Sequence, residues 1–351
     1  MLSFHQAIDR SEEIHHRRHL LLGRGFGLAC RPDHFATRDL VAEADLEPLS
    51  PAARSLFEGE ESANFEHLIR LLEEAADLAE RYETSDSGLA PRLRDDAVHM
   101  KKAYADALGG KHPQFMGKIA DEEYDAARFF LAHFGHFFYL THDLLLYWAL
   151  RSEGNPPVHH DDGFRADRNT RDASWVRWND YNPHRQNVYY LHGGIHLYAD
   201  GAALKKLTFS RTGLGLVEQI QAQLDDGFFP LIVGGKTPEE RHSGIVRHAY
   251  LSKGLRSLAS CEGSLFVHGH RLGEDDQHIT RAIHEGKFLG LFVGLDGDPD
   301  SERNQEIQER AEELMDRRPR WRPLKAVEFY DAASAEVWGA PDRPRYGAIK
   351  A

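Results

Sequence analysis

Continuous apolar runs, separated by amphipathic segments, constrain the fold of this chain more than any other feature. After a short run at residues 19–23, such runs recur at 136–143, 187–198, 228–235, 264–270, 288–295 and 324–332. Runs of this kind form strands that are buried on both faces, as in a parallel sheet. Helix-length amphipathic segments lie between most of them, at 215–224, 238–259, 275–286 and 301–317. This order predicts an α/β fold, with a Rossmann-like parallel sheet and helices on both faces.

The chain between the first two predicted strands is mostly helical in pattern. Residues 62–83 place apolar side chains on one helical face, and Ser62 is predicted to cap that helix. Further helices are expected near 92–108 and 121–133. We therefore expect a mostly helical insertion over residues 40–131, within a single α/β domain that spans residues 1–351.

Residues 153–184 interrupt the alternation of strands and helices. This stretch is rich in charged and aromatic residues and has no long apolar run. It predicts a loop-rich excursion near the functional site, and its composition leaves open whether it forms part of a cleft or a lid. Trp175 and Trp178 fit stacking on a ligand ring, but they fit packing beneath the loop equally well.

Charge and composition exclude several classes of function. The net charge is -13, which argues against nucleic acid as the main partner, because binding phosphates requires clustered Lys and Arg. The basic run at 317–325 is interpreted as a solvated helix end and linker. No apolar stretch reaches 18 residues, so no membrane segment is expected. Cys30 and Cys261 form no disulfide or ligand motif, which predicts a cytoplasmic protein. The oligomeric state is left open, a homo-oligomer included.

Glycines and polar residues follow four of the predicted strands. In an open parallel sheet, ligands bind beyond the carboxyl ends of the strands, where glycine lets a ligand approach the backbone. The glycine turn GRGFG matches neither the GxGxxG spacing nor the GK[ST] ending of a phosphate loop, so alone it predicts only a structural turn. The four stretches are GRGFG at 23–27, THD at 141–143, HGG at 192–194 and HGHR at 268–271, the last followed by EDD at 274–276.

His192 and His196 lie four residues apart, a spacing that would suit a zinc pair on a helix. The glycine pair between them and the alternation around them indicate strand and turn instead. We therefore expect His196 to be a packed, hydrogen-bonded core residue. A metallohydrolase would also need a carboxylate ligand such as Asp143 or Asp275, and no HExxH motif occurs. No metal site is predicted, and a metal-dependent hydrolase is the least favoured reading.

In order, LLLGRGFGLACR, FFYLTHDLLLYW, YYLHGGIHLY and LFVHGHRLGEDDQHI resemble the strand ends of the sirtuin-like NAD-binding superfamily. More narrowly, HDLLLYW, YYLHGGIHLY, FPLIV and YDAASAEVWG resemble a bacterial family described as domain of unknown function 4917. The resemblance covers nearly the full length. It implies NAD or a related nucleotide as ligand, and cleavage of NAD to nicotinamide and ADP-ribose. Several sirtuin-like relatives act in this way in antiphage defence or stress responses.

The resemblance also implies roles for individual residues. His192 matches the general base, and Asp143 would support the nicotinamide-ribose end. Thr141 stands where the superfamily has a catalytic-site asparagine. The remaining matches are cofactor contacts: Gly23, Gly25 and Phe26 along the pyrophosphate, and Gly269 and His270 on the adenosine-ribose side, with Asp275 or Asp276 close by. An acidic residue there fits a helix-capping role equally well.

Four polar positions depart from the superfamily pattern. Thr141 replaces the asparagine, and a hydroxyl cannot span the two partners that an amide can. Arg24, Gly27 and Arg271 replace small polar residues of the two glycine turns. Arginine clamps phosphate bidentately, so Arg24 and Arg271 are predicted to contact a cofactor phosphate.

These departures leave two hypotheses for the function. The first is an NAD glycohydrolase, and the second is a non-catalytic sensor or scaffold that binds NAD or ADP-ribose. A protein deacylase of the familiar zinc-containing kind is disfavoured, because its zinc module takes four cysteines and this chain has two.

Overall fold

The computed structural model describes residues 1–32, 40–57, 65–82, 88–166, 174–179, 185–201, 203–208, 213–233, 237–316 and 325–339. Three sequence predictions fall outside the described residues. They are the cap at Ser62, the basic run up to residue 324, and the glycine pair that ends the run at 228–235.

Helices dominate the first part of the chain. The described elements are α1 (Phe4–Ile14), β1 (Arg18–Leu22), α2 (Gly25–Cys30), α3 (Leu40–Glu43), α4 (Pro51–Ser55), α5 (Phe65–Tyr82), α6 (Leu89–Gly109) and α7 (Asp121–Leu131). In α5, Phe65, Leu68 and Leu72 are buried at helical spacing, which explains how this helix packs on the core. Within the described ranges, none of the helices has both the length and the apolar character needed to cross a bilayer.

Strands and helices alternate in the remainder of the chain. The elements are β2 (His136–Tyr139), α8 (Leu145–Arg151), β3 (Phe164–Arg165), β4 (Trp175–Trp178), β5 (Val188–Tyr190), β6 (Gly193–Asp200), β7 (Ala203–Leu207), α9 (Leu216–Asp225), β8 (Pro230–Ile232), α10 (Pro238–Arg247), α11 (Ala249–Ser260), β9 (Glu262–His268), α12 (Gln277–Glu285), β10 (Lys287–Leu295), α13 (Glu302–Asp316) and β11 (Ala326–Asp331). The segment predicted as one helix at 238–259 is two helices, because the backbone at His248 is extended.

The main sheet is parallel, in the order β11-β10-β9-β1-β2-β5. Counted along the chain, its strands follow the order 6-5-4-1-2-3, so the direction of winding reverses between β1 and β9. Open α/β sheets with this order bind their ligands in the crevice beyond the carboxyl ends at the reversal. The sequence-based prediction of a Rossmann-like α/β fold is confirmed, with a helical insertion between its first two strands.

The two faces of the parallel sheet carry separate apolar layers. Leu20 and Leu22 face one layer together with Phe137. Leu21 and Phe138 face the other. Because the side chains of a strand alternate between faces, a continuous apolar run is what buries both. Each fully buried leucine contributes about 1.5–3 kcal/mol relative to an exposed one.

A second sheet, in the order β3-β4-β7-β6-β8, is antiparallel and was not predicted. The run at 187–198 forms two strands, β5 and β6. A turn at the glycine pair was expected, but the membership of the two strands in different sheets was not. Gly193 divides them: its φ is +81°, and a Cβ there would lie 1.8 Å from the Leu231 carbonyl oxygen. The run at 228–235 was expected in the parallel sheet, but it supplies β8 to the antiparallel one. The excursion at 153–184 supplies β3 and β4.

Candidate functional site

Side chains from distant parts of the sequence meet at the carboxyl end of the parallel sheet, near the reversal. His192 follows β5, His270 follows β9, and Asp276 and His278 lie at the start of α12. All four are buried. We call these four residues the histidine cluster.

Two hydrogen bonds fix the tautomers within the histidine cluster. His192 Nδ1 lies 3.0 Å from the Leu140 carbonyl oxygen, and its Nε2 lies 2.7 Å from His278 Nε2. A carbonyl oxygen only accepts, so His192 Nδ1 carries the hydrogen and its Nε2 offers a lone pair. His278 Nε2 therefore donates. His278 Nδ1 is then a second lone pair, buried and without a hydrogen-bond partner among the described residues.

Asp276 supplies the negative charge of the cluster. Its Oδ2 lies 2.8 Å from His270 Nε2, and its Oδ1 lies 3.7 Å from His192 Nε2. The Arg241 guanidinium lies 3.4 Å from the same Oδ1. Burial acts to raise the pKa of Asp276, but the hydrogen bond from His270 and the electrostatic influence of the three neighbouring imidazoles outweigh it. The pKa of this carboxyl is held well below its ordinary value, so the group is ionised.

The two facing imidazoles are neutral near pH 7. Burial lowers the pKa of His192 to about 4, while the charge of Asp276 acts to raise it. Burial likewise lowers the pKa of His278 to about 3. A neutral imidazole can accept a proton, and the carboxylate 3.7 Å from His192 would stabilise the imidazolium that forms.

A cleft of about 910 Å³ adjoins the cluster at His278. It lies between α10, α12 and α13 and begins at the loop that follows β9. His278 lines it, together with Leu272 and Gly273 of that loop. Its volume falls within the range of small-molecule sites.

Thr141 and Asp143 are bonded to each other rather than to the histidine cluster. Asp143 accepts from the Tyr139 hydroxyl at 2.5 Å, the Thr141 hydroxyl at 2.7 Å and the Leu145 N–H at 2.8 Å. The last bond secures the start of α8. Among the described residues, no hydrogen bond joins either side chain to His192.

The two glycine turns pack against each other. Gly25 donates its N–H to the Gly269 carbonyl oxygen at 2.9 Å, and Gly23 donates to the His268 carbonyl oxygen at the same distance. A Cβ on Gly25 would lie 2.5 Å from Gly269 Cα, and Gly269 has a φ of +69°. The contact between the turns therefore requires these glycines, whether or not a ligand binds there.

The other predicted cofactor residues occupy varied positions. Phe26 is fully buried and packs against Trp338, whose indole N–H donates to the Phe26 carbonyl oxygen at 2.8 Å. Arg24 is half-buried at the start of α2. Arg271 and Asp275 are exposed. The buried carboxylate of the acidic pair is thus Asp276 rather than Asp275.

His196 lies apart from the histidine cluster, on β6, with its side chain in the core. It stacks on Tyr147 and meets Tyr190 edge-on. Neither ring nitrogen has a hydrogen-bond partner among the described residues. The expectation of a packed residue is confirmed, and the expectation of a hydrogen-bonded one is wrong. Burial lowers the pKa of His196 well below its ordinary value.

His278 was missed by the sequence analysis. Its signal was weak: a histidine two positions after Asp276, in the first turn of α12. The contact with His192 spans 86 residues of sequence and depends on the order of the strands.

His192, Asp276 and His278 bring their ligand atoms within 4.8 Å of one another, which is compatible with a metal ion. The distance of 2.7 Å between His192 Nε2 and His278 Nε2 distinguishes a hydrogen bond from a shared metal ion. Two nitrogen ligands with Zn–N bonds of 2.0–2.1 Å lie roughly 3.3 Å apart in a tetrahedral site. A shared hydrogen fits the observed distance better than a shared metal ion.

The fold and the cluster define a Rossmann-like α/β protein whose candidate site lies at the reversal of strand order. The family described as "Domain of unknown function (DUF4917)" matches residues 20–338, and the chain belongs to that family. The narrower resemblance seen in the sequence is thereby confirmed. No curated protein matches the chain.

Proposed function

We propose that this protein is sirtuin-like and binds NAD or a related adenine nucleotide at the reversal of strand order. We further propose that it cleaves NAD to nicotinamide and ADP-ribose. The observation that best supports the proposal is the buried His192–His278 pair beside an ionised Asp276, at the edge of a cleft. The pair offers an unpartnered lone pair, at His278 Nδ1, and a carboxylate that stabilises the resulting cation.

The tautomers define a route for one proton. In the reaction, the bond between the ribose C1′ and nicotinamide breaks, its electron pair leaves with nicotinamide, and water adds to C1′. The released proton enters at His278 Nδ1, and His278 passes its Nε2 hydrogen to His192 Nε2. The imidazolium then lies 3.7 Å from Asp276, and the Leu140 carbonyl holds its ring in place. His192 thus remains the proton acceptor, with His278 as its relay.

Arginines near the glycine turns support the binding half of the proposal. Arg271 is exposed directly after Gly269 and His270, and Arg24 immediately precedes α2. A guanidinium in either position can bind a pyrophosphate through two parallel hydrogen bonds. The glycines themselves carry less weight, because the contact between the two turns already requires them.

To test this, the purified protein is incubated with NAD and the released nicotinamide is measured by chromatography. The His192→Ala variant should lose at least about 100-fold in turnover, since general acid–base groups contribute about 10²–10⁴-fold. The matched control is His99→Ala, which removes an exposed histidine from α6 and should leave turnover unchanged. Equal turnover in both variants would overturn the role given to His192.

A non-catalytic sensor is the second candidate, and the engagement of Thr141 with Asp143 favours it. That bond occupies both groups that would otherwise serve the nicotinamide-ribose end. The sensor predicts ADP-ribose binding in a calorimetric titration without any nicotinamide release. Thr141→Asn should then create turnover, because it restores the superfamily's amide. A metal-dependent hydrolase, the least favoured candidate, predicts turnover that a chelator abolishes.

We place this activity in the bacterial cytoplasm, as an antiphage defence or stress effector. The sirtuin-like resemblance supports the role, and the two buried, unpaired cysteines fit a reducing compartment. Expression of the wild type should deplete cellular NAD, whereas expression of His192→Ala should not. If cellular NAD is undiminished in both cases, the proposed role as an effector is wrong.

A further inference from the structure

A second group of histidine and cysteine side chains lies at the opposite, amino-terminal end of the parallel sheet. His19 is in β1, His136 begins β2, and Cys261 immediately precedes β9. Their ligand atoms lie within 4.8 Å of one another. We call these three residues the edge cluster. Nothing in the proposed cleavage of NAD involves them.

The register of the sheet brings the edge cluster together. His19 and His136 are paired residues of the neighbouring strands β1 and β2, so their side chains leave the same face. β9 adjoins β1 on its other side and places Cys261 beside them. Over 100 residues of sequence separate each member from the next, so no motif spacing reveals the group.

A backbone carbonyl fixes the tautomer of His19. Its Nε2 lies 2.8 Å from the Glu262 carbonyl oxygen and must donate, which leaves Nδ1 as a lone pair. Metal-binding histidines commonly have their second nitrogen held in this way. This lone pair faces His136 Nδ1, 3.1 Å away and within hydrogen-bond distance.

The distance between the two facing ring nitrogens differs between the edge cluster and the histidine cluster. Two nitrogen ligands of a tetrahedral zinc ion lie roughly 3.3 Å apart. The 3.1 Å in the edge cluster approaches that value, whereas the 2.7 Å between His192 and His278 falls well short of it. A movement of a few tenths of an ångström would let the two rings share an ion.

Burial sets the protonation of the groups in the edge cluster. His19 is 4% exposed and burial lowers its pKa to about 4, so the ring is neutral. Burial raises the pKa of the Cys261 thiol to about 12, and the charge of Arg17 acts in the opposite direction. The thiol is therefore protonated, and a metal ion that binds here displaces its proton.

We propose that His19, His136 and Cys261 bind one Zn²⁺ ion, with water as the fourth ligand. Two imidazole nitrogens and one sulfur form a ligand set that zinc prefers. His136 is half-buried, which leaves a side from which water reaches the ion. The ion links the amino-terminal ends of β9, β1 and β2, so its role is to stabilise the sheet.

The test is a titration of the full-length, chelator-treated protein with Co²⁺, followed by displacement with Zn²⁺. A thiolate bound to Co²⁺ gives a charge-transfer band in the near ultraviolet. We expect one equivalent of Co²⁺ with this band, and a higher unfolding temperature once Zn²⁺ replaces it. Cys261→Ser should abolish the band, whereas Cys30→Ser, which changes the other buried thiol, should keep it.

A second variant keeps the test decisive if Cys261→Ser fails to fold. His136→Gln changes a half-buried ligand, and it should weaken Zn²⁺ binding by more than the about 10–100-fold that outer-shell changes cost. The proposal is overturned if wild-type protein shows no thiolate band, or if the band survives Cys261→Ser. It is equally overturned if the Co²⁺ that binds is lost in His192→Ala, because the ion would then belong to the histidine cluster.

Discussion

The two ends of the parallel sheet each hold a pair of facing, largely buried imidazoles, and the pairs differ in spacing and in their third partner. At the carboxyl end, His192 and His278 lie 2.7 Å apart beside a carboxylate. At the amino end, His19 and His136 lie 3.1 Å apart beside a thiol. In each pair, a backbone carbonyl oxygen fixes the tautomer of one ring.

The comparison shows that residue type alone does not decide what a histidine pair does. The short contact and the adjacent carboxylate favour transfer of a proton, because a proton needs only a donor and an acceptor. The longer contact and the adjacent sulfur favour a cation, because an ion needs room for its bonds. The following changes test this difference between the two ends of the sheet.

Acid should destabilise the protein through the histidine cluster. The folded pKa values of His192 and His278, about 4 and about 3, lie below the unfolded value of about 6.5. The unfolded state therefore binds more protons between these values. The stability they contribute is fully present above pH 6.5 and is lost as the pH falls toward the folded values. We expect the free energy of unfolding to fall by on the order of 1–3 kcal/mol per histidine.

Urea unfolding at several pH values between neutrality and about 4 measures this loss. His192→Gln removes one of the two groups and should give a shallower dependence on pH. An unchanged slope would mean that the cluster does not control the response to acid.

Gly25→Ala should destabilise the fold by about 1–3 kcal/mol, because the added methyl carbon would meet Gly269 Cα at 2.5 Å. Gly273→Ala is the matched control: it lies in the loop that follows β9, with no atom within 4 Å of the new carbon. Both variants are compared by urea unfolding. Equal midpoints would show that the two turns can separate at little cost.

Asp276→Asn should lower turnover of NAD by about tenfold, because the imidazolium loses the charge that stabilises it. The carboxylate raises the pKa of His192, so its removal should also move the acid limb of the rate profile to lower pH. The control is Asp9→Asn, an exposed position on α1. If the acid limb of the rate profile does not move, a group other than His192 controls it.

Cys261→Ser should have the smallest effect on turnover of NAD, which we expect to be unchanged. The residue lies at the amino-terminal end of the sheet, before β9 begins. A steady-state assay with folded variant protein measures this. A loss of turnover would show that the two ends of the sheet are coupled.

The parallel sheet could be predicted from sequence because its strands are buried on both faces. A run such as residues 288–295 has no polar alternation, and β10 covers Lys287–Leu295. The antiparallel sheet could not be predicted from sequence. Its strand β3 has two residues and β8 has three, too few to leave a periodic pattern. The glycine pair at Gly193 indicated a turn, but not that the strands before and after it belong to different sheets.

The candidate site was predicted in part. His192 and His270 follow strands with clear apolar patterns, so their meeting at one end of the sheet could be expected. His278 could not be placed, because its contact with His192 depends on which strand lies beside which. The edge cluster was hidden for the same reason, since only the register of β1 against β2 brings His19 to His136.

The most direct test of the proposed function compares nicotinamide release from NAD by the wild type and His192→Ala, with ADP-ribose binding measured on both. We expect release by the wild type, loss of at least about 100-fold in the variant, and ADP-ribose binding by both proteins. Equal release by the two proteins would contradict the role of the histidine cluster. If the wild type shows neither nicotinamide release nor ADP-ribose binding, the nucleotide proposal itself is contradicted.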